Sequence, residues 1–335
     1  METLMSVIIP TYNRKESTLR LLNSLELQTL CHNSFEVIVI DDGSSDDTAS
    51  IQNMSYTFNF SYHYQTNRGA SEARNQGALR AKAKCIAFID DDVILMPNTL
   101  EILFREWQKY PQAILIGMLE FHSPLTPEPI FSRVFTASIN QNKIDGDIPF
   151  VECNSELLAI DQDVFKDIGM FVDPTGGWPN WEDVYLGYRA SLKGYHIRGC
   201  ALANGEHRDP FFNDLASHIR WWLNASKNAV ILFQKYPDIY PHLPMFQDKT
   251  PINWQADDPG MIIKKILRRI NSTSLVLNVM MMLVKIVEQH FPIPSLLRPL
   301  YRWVISGSIA KEFRNKSKKF HWAPVYGSNS NQKVS

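Results

Sequence analysis

Short apolar runs alternate with helical segments through the first 120 residues, and this alternation restricts the fold more than any other feature. Residues 37–40 are apolar at every position, which suits a strand covered on both faces. Leu19, Leu22 and Leu25 recur at helical spacing in the segment between two such runs. The pattern predicts strands over residues 5–10, 35–40, 61–65, 84–89 and 113–117, and helices over 17–28, 71–83 and 98–110. It therefore indicates an α/β fold with a Rossmann-like, mostly parallel sheet and helices on both faces.

Polar or turn-forming residues follow each of the first four predicted strands, at residues 11–13, 41–44, 67–69 and 90–92. Ligands of parallel α/β sheets bind outside the carboxyl ends of the strands. We therefore expect these four segments to meet at one edge of the sheet and to form a site there.

Three consecutive aspartates, Asp90, Asp91 and Asp92, end the apolar run 85–89. Their mutual repulsion calls for a cation, and hard carboxylate oxygens suit Mg²⁺ or Mn²⁺ held together with phosphates. If the strand geometry continues, Asp90 and Asp92 project to one side and Asp91 to the other. The simpler alternative is an acidic loop or helix cap without a metal.

Five motifs occur in a characteristic order: SVIIPTYNR, VIVIDDGSSDDT, QTNRGASEARNQGA, AFIDDDVILMP and GGWPNWEDVYLGYRASLKGY. The first four, over residues 5–97, closely resemble the family 2 glycosyltransferases, and the fifth extends the resemblance to about residue 210. The resemblance implies the GT-A fold and an enzyme that transfers a sugar, with inversion, from a nucleotide-sugar donor. It implies a divalent metal cofactor, Mn²⁺ or Mg²⁺.

The donor site follows from the same resemblance. Asp42 is expected to accept a hydrogen bond from the base, usually uracil, and Asp92 to bind the metal. Asp90 is expected to contact the ribose or a ligand of the metal, and Asp91 to hold the turn between them. His207 is expected near the metal or the diphosphate. The remaining nucleotide-sugar contacts are expected from Pro10, Thr11, Tyr12, Asn13, Asn67 and Arg74. Packing for Tyr12 and a surface ion pair with Glu72 for Arg74 are the simpler alternatives.

The acid pair Glu182–Asp183 begins a predicted helix. A sugar hydroxyl is a poor nucleophile and needs a positioned base; the resemblance assigns that role to Asp183. Glu182 is then a candidate acceptor contact, and Trp178 and Trp181 are candidate platforms for sugar rings. The alternatives are that the two acids only cap the helix, where its dipole favours them, and that the tryptophans are core residues.

The C-terminal region differs in charge from the rest of the chain. Residues 261–320 hold 12 Lys/Arg and 2 Asp/Glu, whereas residues 1–260 hold 21 and 33. Residues 261–270 predict a basic amphipathic helix, with one face of Ile262, Ile263, Ile266, Leu267 and Ile270, and the other of Lys264, Lys265, Arg268 and Arg269. Such a helix suits an anionic membrane surface. The alternative is a helical subdomain that packs on the catalytic domain with its charged face in water.

These observations predict a catalytic domain over residues 1–220, a helical extension over 221–320 and a disordered tail over 321–335. The expected partners are a nucleotide-sugar (a UDP-sugar, as is usual in the family), a glycan or lipid-linked acceptor, and a membrane surface at residues 261–320. The chain's net charge of −1 gives no indication of nucleic-acid binding. A catalytically degenerate carbohydrate-binding or scaffold subunit and a nucleotidyltransferase are the rival functions. The second normally has a Gly-rich loop after the first strand, and PTYNRKES has none.

The expected location is the cytoplasm, at the cytoplasmic face of the membrane. Residues 1–14 lack a basic region followed by a long apolar one, so we expect no secretory signal. The four cysteines lie far apart without a CxxC pair, which favours free thiols in a reducing compartment over a zinc site or a disulfide framework.

Overall fold

The computed structural model describes residues 3–140, 144–177 and 181–324, and the chain divides into two compact units. The first comprises Met1–Asp173 with Glu182–Asn213, and the second comprises Pro174–Trp181 with Asp214–Ser335. The four cysteines are free, as expected, and all but Cys31 are buried.

The first unit contains one sheet. Its strands in the described residues are β1 (Met5–Thr11), β2 (Phe35–Asp41), β3 (Asn59–Tyr64), β4 (Cys85–Ile89), β5 (Val93–Leu95), β6 (Ala113–His122), β7 (Gly146–Asp147), β8 (Leu157–Asp161) and β9 (His196–Arg208). The helices of this unit are α1 (Lys15–Leu25), α2 (Ala70–Arg80), α3 (Thr99–Lys109), α4 (Ile130–Thr136), α5 (Gln162–Ile168) and α6 (Glu182–Leu192). The elements expected in the first 120 residues all occur, with ends that differ by a few residues.

The strand order is β3-β2-β1-β4-β8-β6-β9-β5, with β7 paired to β9. Strands β3, β2, β1 and β4 are parallel, and β6 is parallel to β9. Strand β8 is antiparallel to β4 and β6, and β5 is antiparallel to β9. The start of β8 therefore lies beside the carboxyl end of β4, where Leu157 pairs with Ile89.

Both faces of the sheet are covered, which explains why its central strands are apolar at almost every position. Val7 and Ile9 of β1 belong to a core that includes Leu21 of α1. Ile8, between them, belongs to the opposite core, which includes Phe165 of α5. Alternate side chains of one strand thus enter two separate cores.

The second unit is helical, as the C-terminal sequence predicts. Its helices are α7 (Leu215–Lys235), α8 (Pro244–Gln247), α9 (Pro259–Asn271), α10 (Ser274–His290) and α11 (Pro294–Lys319). Asp214 caps α7 by accepting the Ser217 N–H (2.8 Å), and the helix continues through residue 220, so the two units meet in sequence a few residues before the expected boundary. Phe233, Phe246 and Phe313 form its aromatic centre, with ring centroids 4.9–6.2 Å apart.

No single helix in the described part of the chain has the length and apolar composition of a membrane span. Helices α9 and α10 reach that length and composition only as a pair, and they are bent by 76° at the break between them.

Candidate functional site

The three aspartates form a turn after β4, in which the Val93 N–H donates to the Asp90 carbonyl (3.1 Å). Because the chain turns here, Asp91 and Asp92 both pair with the guanidinium of Arg14. Arg14 Nη1 lies 3.2 Å from Asp91 Oδ1 and 2.5 Å from Asp92 Oδ2. Asp90 has a different partner. The expectation that Asp90 and Asp92 project to one side, away from Asp91, is therefore wrong, since it required an extended chain.

Asp92, His207 and Asp209 each offer one ligand atom, and these atoms lie within 4.8 Å of one another. His207 Nε2 is 2.8 Å from Asp92 Oδ1, although 115 residues separate the two. The pairing of β5 with β9 brings them together, since Val93 lies opposite His207. The structure thus unites the two residues expected at the metal and adds Asp209, which sequence reasoning missed. The HxD spacing at the end of β9 was the available signal.

Neighbouring charges shift the pKa values of His207, Asp92 and Asp91. Burial acts to lower the pKa of His207, but Asp92 and Glu156 outweigh it and raise that pKa to about 10. Burial acts to raise the pKa of Asp92, yet His207 and Arg14 hold it below its usual value. Burial and the neighbouring Asp92 charge raise the pKa of Asp91. His207 and Arg14 thus offset the mutual repulsion of the aspartates.

Glu156 is a second residue that the sequence did not reveal. It precedes β8, and its carbonyl accepts the Asp90 N–H (3.1 Å), so it lies at the same sheet edge as the aspartate turn. Its Oε1 is 3.8 Å from His207 Nδ1, which has no hydrogen-bond partner among the described residues. Burial raises the pKa of Glu156 to about 7, against the lowering effect of His207. A carboxylate on the far nitrogen is the usual support of a metal-binding histidine.

Arg74 joins the aspartate turn to the start of α6. Its Nη2 lies 2.6 Å from Asp90 Oδ1, and its Nη1 lies 2.9 Å from Glu182 Oε1. The guanidinium also lies over the Phe171 ring, 5.4 Å from the centroid. Arg74 is 4% exposed, so it is a buried bridge between two carboxylates and not a surface partner of Glu72.

Replacing Arg74 with methionine is expected to lower the free energy of unfolding by about 3 kcal/mol, the lower end of the cost of breaking a buried ion pair. The lower end applies because the Asp90 side chain retains 23% exposure and remains partly hydrated. Urea unfolding followed by circular dichroism measures the change. The matched control is Arg80→Met on the exposed end of the same helix, which should change stability by no more than about 0.5 kcal/mol. Equal losses in the two variants would contradict the bridging role.

Asp183 lies in the first turn of α6, directly after Glu182, and its Oδ1 accepts the Val184 N–H (2.7 Å). Burial, the Glu182 charge and Glu156 raise its pKa to about 8, while the Val184 N–H and Arg74 lower it. A carboxyl group with a pKa in this range can take up a proton near neutral pH, as a general base must.

The residues at the end of β1, which are expected to contact the nucleotide, are only partly exposed. Pro10 and Thr11 are buried, and the Thr11 hydroxyl donates to Asp91 Oδ2 (2.7 Å). Tyr12 is 48% exposed. Asn13, at φ 52°, accepts the Ser45 N–H on its Oδ1 (2.7 Å) and so ties the exits of β1 and β2 together. Thr11 and Asn13 therefore shape this edge by holding neighbouring loops.

Asp42 holds the loop that follows β3. Its carboxylate accepts the Arg68 and Gly69 N–H groups, each at 2.8 Å, and the Gln65 amide at 2.7 Å. Gly43, at φ +91°, leaves room for Asn67, whose backbone nitrogen would lie 2.8 Å from any added Cβ. These contacts place Asn67 beside the exit of β2; the expected contact of Asp42 with a base stays a prediction.

The two candidate aromatic platforms belong to the segment before α6. Trp178 lies outside the described residues. Trp181 lies in the second unit, where its indole N–H donates to the Ala225 carbonyl (2.9 Å) and its ring packs edge-on against Phe246. These contacts favour the packing alternative for Trp181, and its role at an acceptor stays a prediction.

Residues 6–156 match the sequence model of glycosyl transferase family 2. This region of the chain is therefore similar to glycosyl transferase family 2. The matched region includes β1 to β4, the aspartate turn and Glu156, whereas α6 and the end of β9 lie beyond it. The family resemblance is confirmed for the first four motifs, and the fifth lies outside the matched residues.

Two curated relatives of the chain are glycosyltransferases. An uncharacterized glycosyltransferase from Haemophilus influenzae is 32% identical over 178 residues, which are 50% of this chain and 55% of that protein. Validoxylamine A glucosyltransferase from Streptomyces hygroscopicus subsp. limoneus is 29% identical over 220 residues, or 57% of this chain and 48% of that protein. The chain thus spans about half the length of the curated relatives it matches.

Solved structures confirm the GT-A fold with its helical extension. The mannosyltransferase PcManGT from Pyrobaculum calidifontis, in complex with GDP-Man and Mn²⁺, has a TM-score of 0.55 at 15% identity, covering 92% of this chain and 87% of that one. Residues 1–349 of TarS from S. aureus, in complex with UDP, have a TM-score of 0.51 at 19% identity, covering 98% and 94%. At these identities the likeness concerns the fold alone.

Proposed function

We propose that this chain is a metal-dependent, inverting glycosyltransferase that moves a sugar from a UDP-sugar to a hydroxyl of a glycan or lipid-linked acceptor. The observation that carries the proposal is the cluster of Asp92, His207 and Asp209, together with the buried Arg74 that bridges Asp90 to Glu182, the residue before Asp183. TarS, a structural neighbour, was solved with UDP, and PcManGT with GDP-Man and Mn²⁺. These ligands support a nucleotide-sugar and a divalent cation for this chain.

The donor set of the cluster fits a hard divalent cation. Two carboxylate oxygens and one imidazole nitrogen lie within 4.8 Å of one another, and carboxylate oxygens suit Mn²⁺ or Mg²⁺. Asp92, His207 and Asp209 would hold the ion, which supplies charge stabilisation for the departing diphosphate. Arg14 Nη1 lies 2.5 Å from Asp92 Oδ2, so the guanidinium and a bound cation would share the Asp92 carboxylate.

We assign activation of the acceptor to Asp183, whose raised pKa suits a general base. Its carboxylate takes the proton from the acceptor hydroxyl while the hydroxyl oxygen attacks the anomeric carbon. The bond from that carbon to the diphosphate oxygen breaks, and UDP leaves with the electron pair. One displacement inverts the configuration of the anomeric carbon. Arg74 fixes Glu182, and thereby the first turn of α6, relative to Asp90.

A thermal-shift panel of nucleotide-sugars tests the proposal directly, since a ligand that binds the native state raises apparent stability. UDP-sugars together with Mn²⁺ are expected to raise the melting temperature, and EDTA should abolish the increase. An equal response to every nucleoside diphosphate would contradict the uridine preference. A response that EDTA leaves unchanged would contradict the metal.

The pH dependence of kcat/KM is expected to follow Asp183. Only the ionised carboxylate accepts a proton, so kcat/KM should rise as the pH passes the pKa of Asp183. Burial and neighbouring acids raise that pKa from 3.8 to about 8. Glu182→Gln removes a charge that raises this pKa, and should move the rising limb to lower pH. Profiles of the two proteins at saturating Mn²⁺ provide the measurement. A limb that stays in place in Glu182→Gln would contradict the assignment to Asp183.

A further inference from the structure

Helix α9 is amphipathic in the reverse of the usual orientation. Lys265 is buried and pairs with Asp257 (2.6 Å), and Arg268 pairs with Asp248 (2.7 Å), so basic residues face the interior of the second unit. Ile263, Ile266, Leu267 and Ile270 are instead 42–60% exposed. Helices of globular proteins normally bury the apolar stripe and hydrate the charged one.

Helix α10 has an exposed apolar stripe as well. One side, consisting of Leu277, Met280 and Val284, is buried. The other side is exposed at Leu275, Val279, Met282, Leu283 and Ile286. Because α10 already has a buried apolar side, the exposed stripe is surplus to the packing of the second unit.

Aromatic and aliphatic side chains extend this exposure beyond the two stripes. We define the apolar face as the exposed large hydrophobic residues of α9 and α10 together with Trp254, Phe291, Ile293, Leu296 and Trp303. Of 25 exposed large hydrophobic residues in the described part of the chain, 14 belong to this face. Such a concentration marks an interaction site, whereas single exposed apolar residues need no explanation.

The apolar face is bordered by positive charge. Lys264 and Arg269 lie on either side of the α9 stripe at 100° per residue, and Lys285 borders the α10 stripe; all three are exposed. Residues 261–320 contain two acids, and both have partners within the unit. Glu288 accepts the Tyr301 hydroxyl (2.7 Å), and Glu312 lies 3.5 Å from Lys316.

We propose that the apolar face docks on the surface of an anionic lipid bilayer, with α9 and α10 lying in the interface. Apolar side chains enter the boundary between headgroups and acyl chains, while flanking lysines and arginines contact anionic headgroups. Trp254 and Trp303 suit that boundary, where tryptophan is enriched. A symmetric dimer through this face is disfavoured because it would place one basic border against another. The proposal is independent of the proposed sugar transfer.

The test is co-sedimentation of the full chain with vesicles of equal parts phosphatidylglycerol and phosphatidylcholine, and with vesicles of phosphatidylcholine alone. We expect binding to the first kind, weakened by salt. The double variant Leu267→Glu, Met282→Glu should weaken it at least about tenfold, since both side chains would enter the bilayer. Lys264→Ala and Arg269→Ala should each weaken it about fivefold. The matched control is Leu192→Glu, Leu202→Glu, which changes equally exposed leucines of the first unit and should bind as the wild type does.

Absence of binding to anionic vesicles, or equal binding to both kinds, would overturn the proposal. A wild-type dimer in analytical ultracentrifugation that Leu267→Glu, Met282→Glu dissociates, without any vesicle binding, would assign the face to a second copy of the chain instead. Circular dichroism and UDP binding of the same variants show that they are folded. Because UDP binding is measured separately, failure of the membrane proposal leaves the proposed function untouched.

Discussion

Replacing Asp183 with asparagine is expected to lower kcat for sugar transfer by about 10²–10⁴-fold, the usual contribution of a general base. The amide has nearly the same shape but cannot take the proton of the acceptor hydroxyl. UDP affinity should remain close to that of the wild type, because the Asp183 carboxylate accepts the Val184 N–H of its own helix and Asp183 is not one of the three residues of the candidate metal cluster. Steady-state transfer assays and calorimetric titration with UDP measure the two quantities separately.

Asp163→Asn is the matched control for this substitution, since Asp163 is an exposed acid in the first turn of α5. It should leave kcat unchanged. Loss of UDP binding in Asp183→Asn would show that Asp183 contacts the donor and is not the base. Undiminished kcat would remove it from the mechanism.

Replacing Asp92 with asparagine is expected to reduce kcat/KM by at least about 10²-fold, because several kcal/mol of charge stabilisation at the diphosphate depend on the cation. The substitution removes the carboxylate that both His207 and Arg14 approach most closely. Mn²⁺ binding should weaken in parallel, and titration of the protein with Mn²⁺ measures it.

His207→Gln provides a second variant, since Asp92 also contributes to the buried charge balance and its loss affects folding. Both variants should lose Mn²⁺ affinity, while Asp163→Asn keeps it. Full turnover in folded Asp92→Asn would contradict the metal role of the aspartate turn.

Much of the first unit was predictable because its signals are local. The apolar runs of β1, β2 and β4 and the helical spacing of α1 reflect a sheet covered on both faces. The carboxyl ends of parallel strands share an edge, so the polar segments after them had to meet. The Asp42 N–H donates to the Thr11 carbonyl and the Thr11 hydroxyl donates to Asp91 Oδ2, so the ends of β1, β2 and β4 do adjoin. The roles expected of Asn13, Asp42 and Asp92 stay predictions.

The residues that sequence reasoning missed depend on long-range antiparallel pairing. Glu156 reaches the site because β8 runs opposite to β4, and Asp209 reaches it because β9 pairs with β5. Neither pairing has a local signature, since β9 is polar at many positions and β5 has three residues. Arg14 is the last residue of the motif SVIIPTYNR, but its partners were identifiable only once the turn at residues 90–92 was known.

The periodicity of the sequence could not predict which side of α9 faces the interior. A helical stripe of isoleucine and leucine opposite one of lysine and arginine is the same in sequence whichever side faces inward. Asp248 and Asp257 decide the orientation by pairing with Arg268 and Lys265. The alternative of a charged face in water is therefore wrong for Lys265 and Arg268.

Calorimetric titration with UDP, with and without Mn²⁺, tests the central claim most directly when wild type, Asp183→Asn and Asp92→Asn are compared. The claim is that separate carboxylates bind the donor's metal and activate the acceptor. Wild type and Asp183→Asn should bind UDP with equal, Mn²⁺-dependent affinity, whereas Asp92→Asn should lose the dependence on Mn²⁺. UDP binding that ignores Mn²⁺ in the wild type, or that fails in Asp183→Asn, would contradict the division of roles.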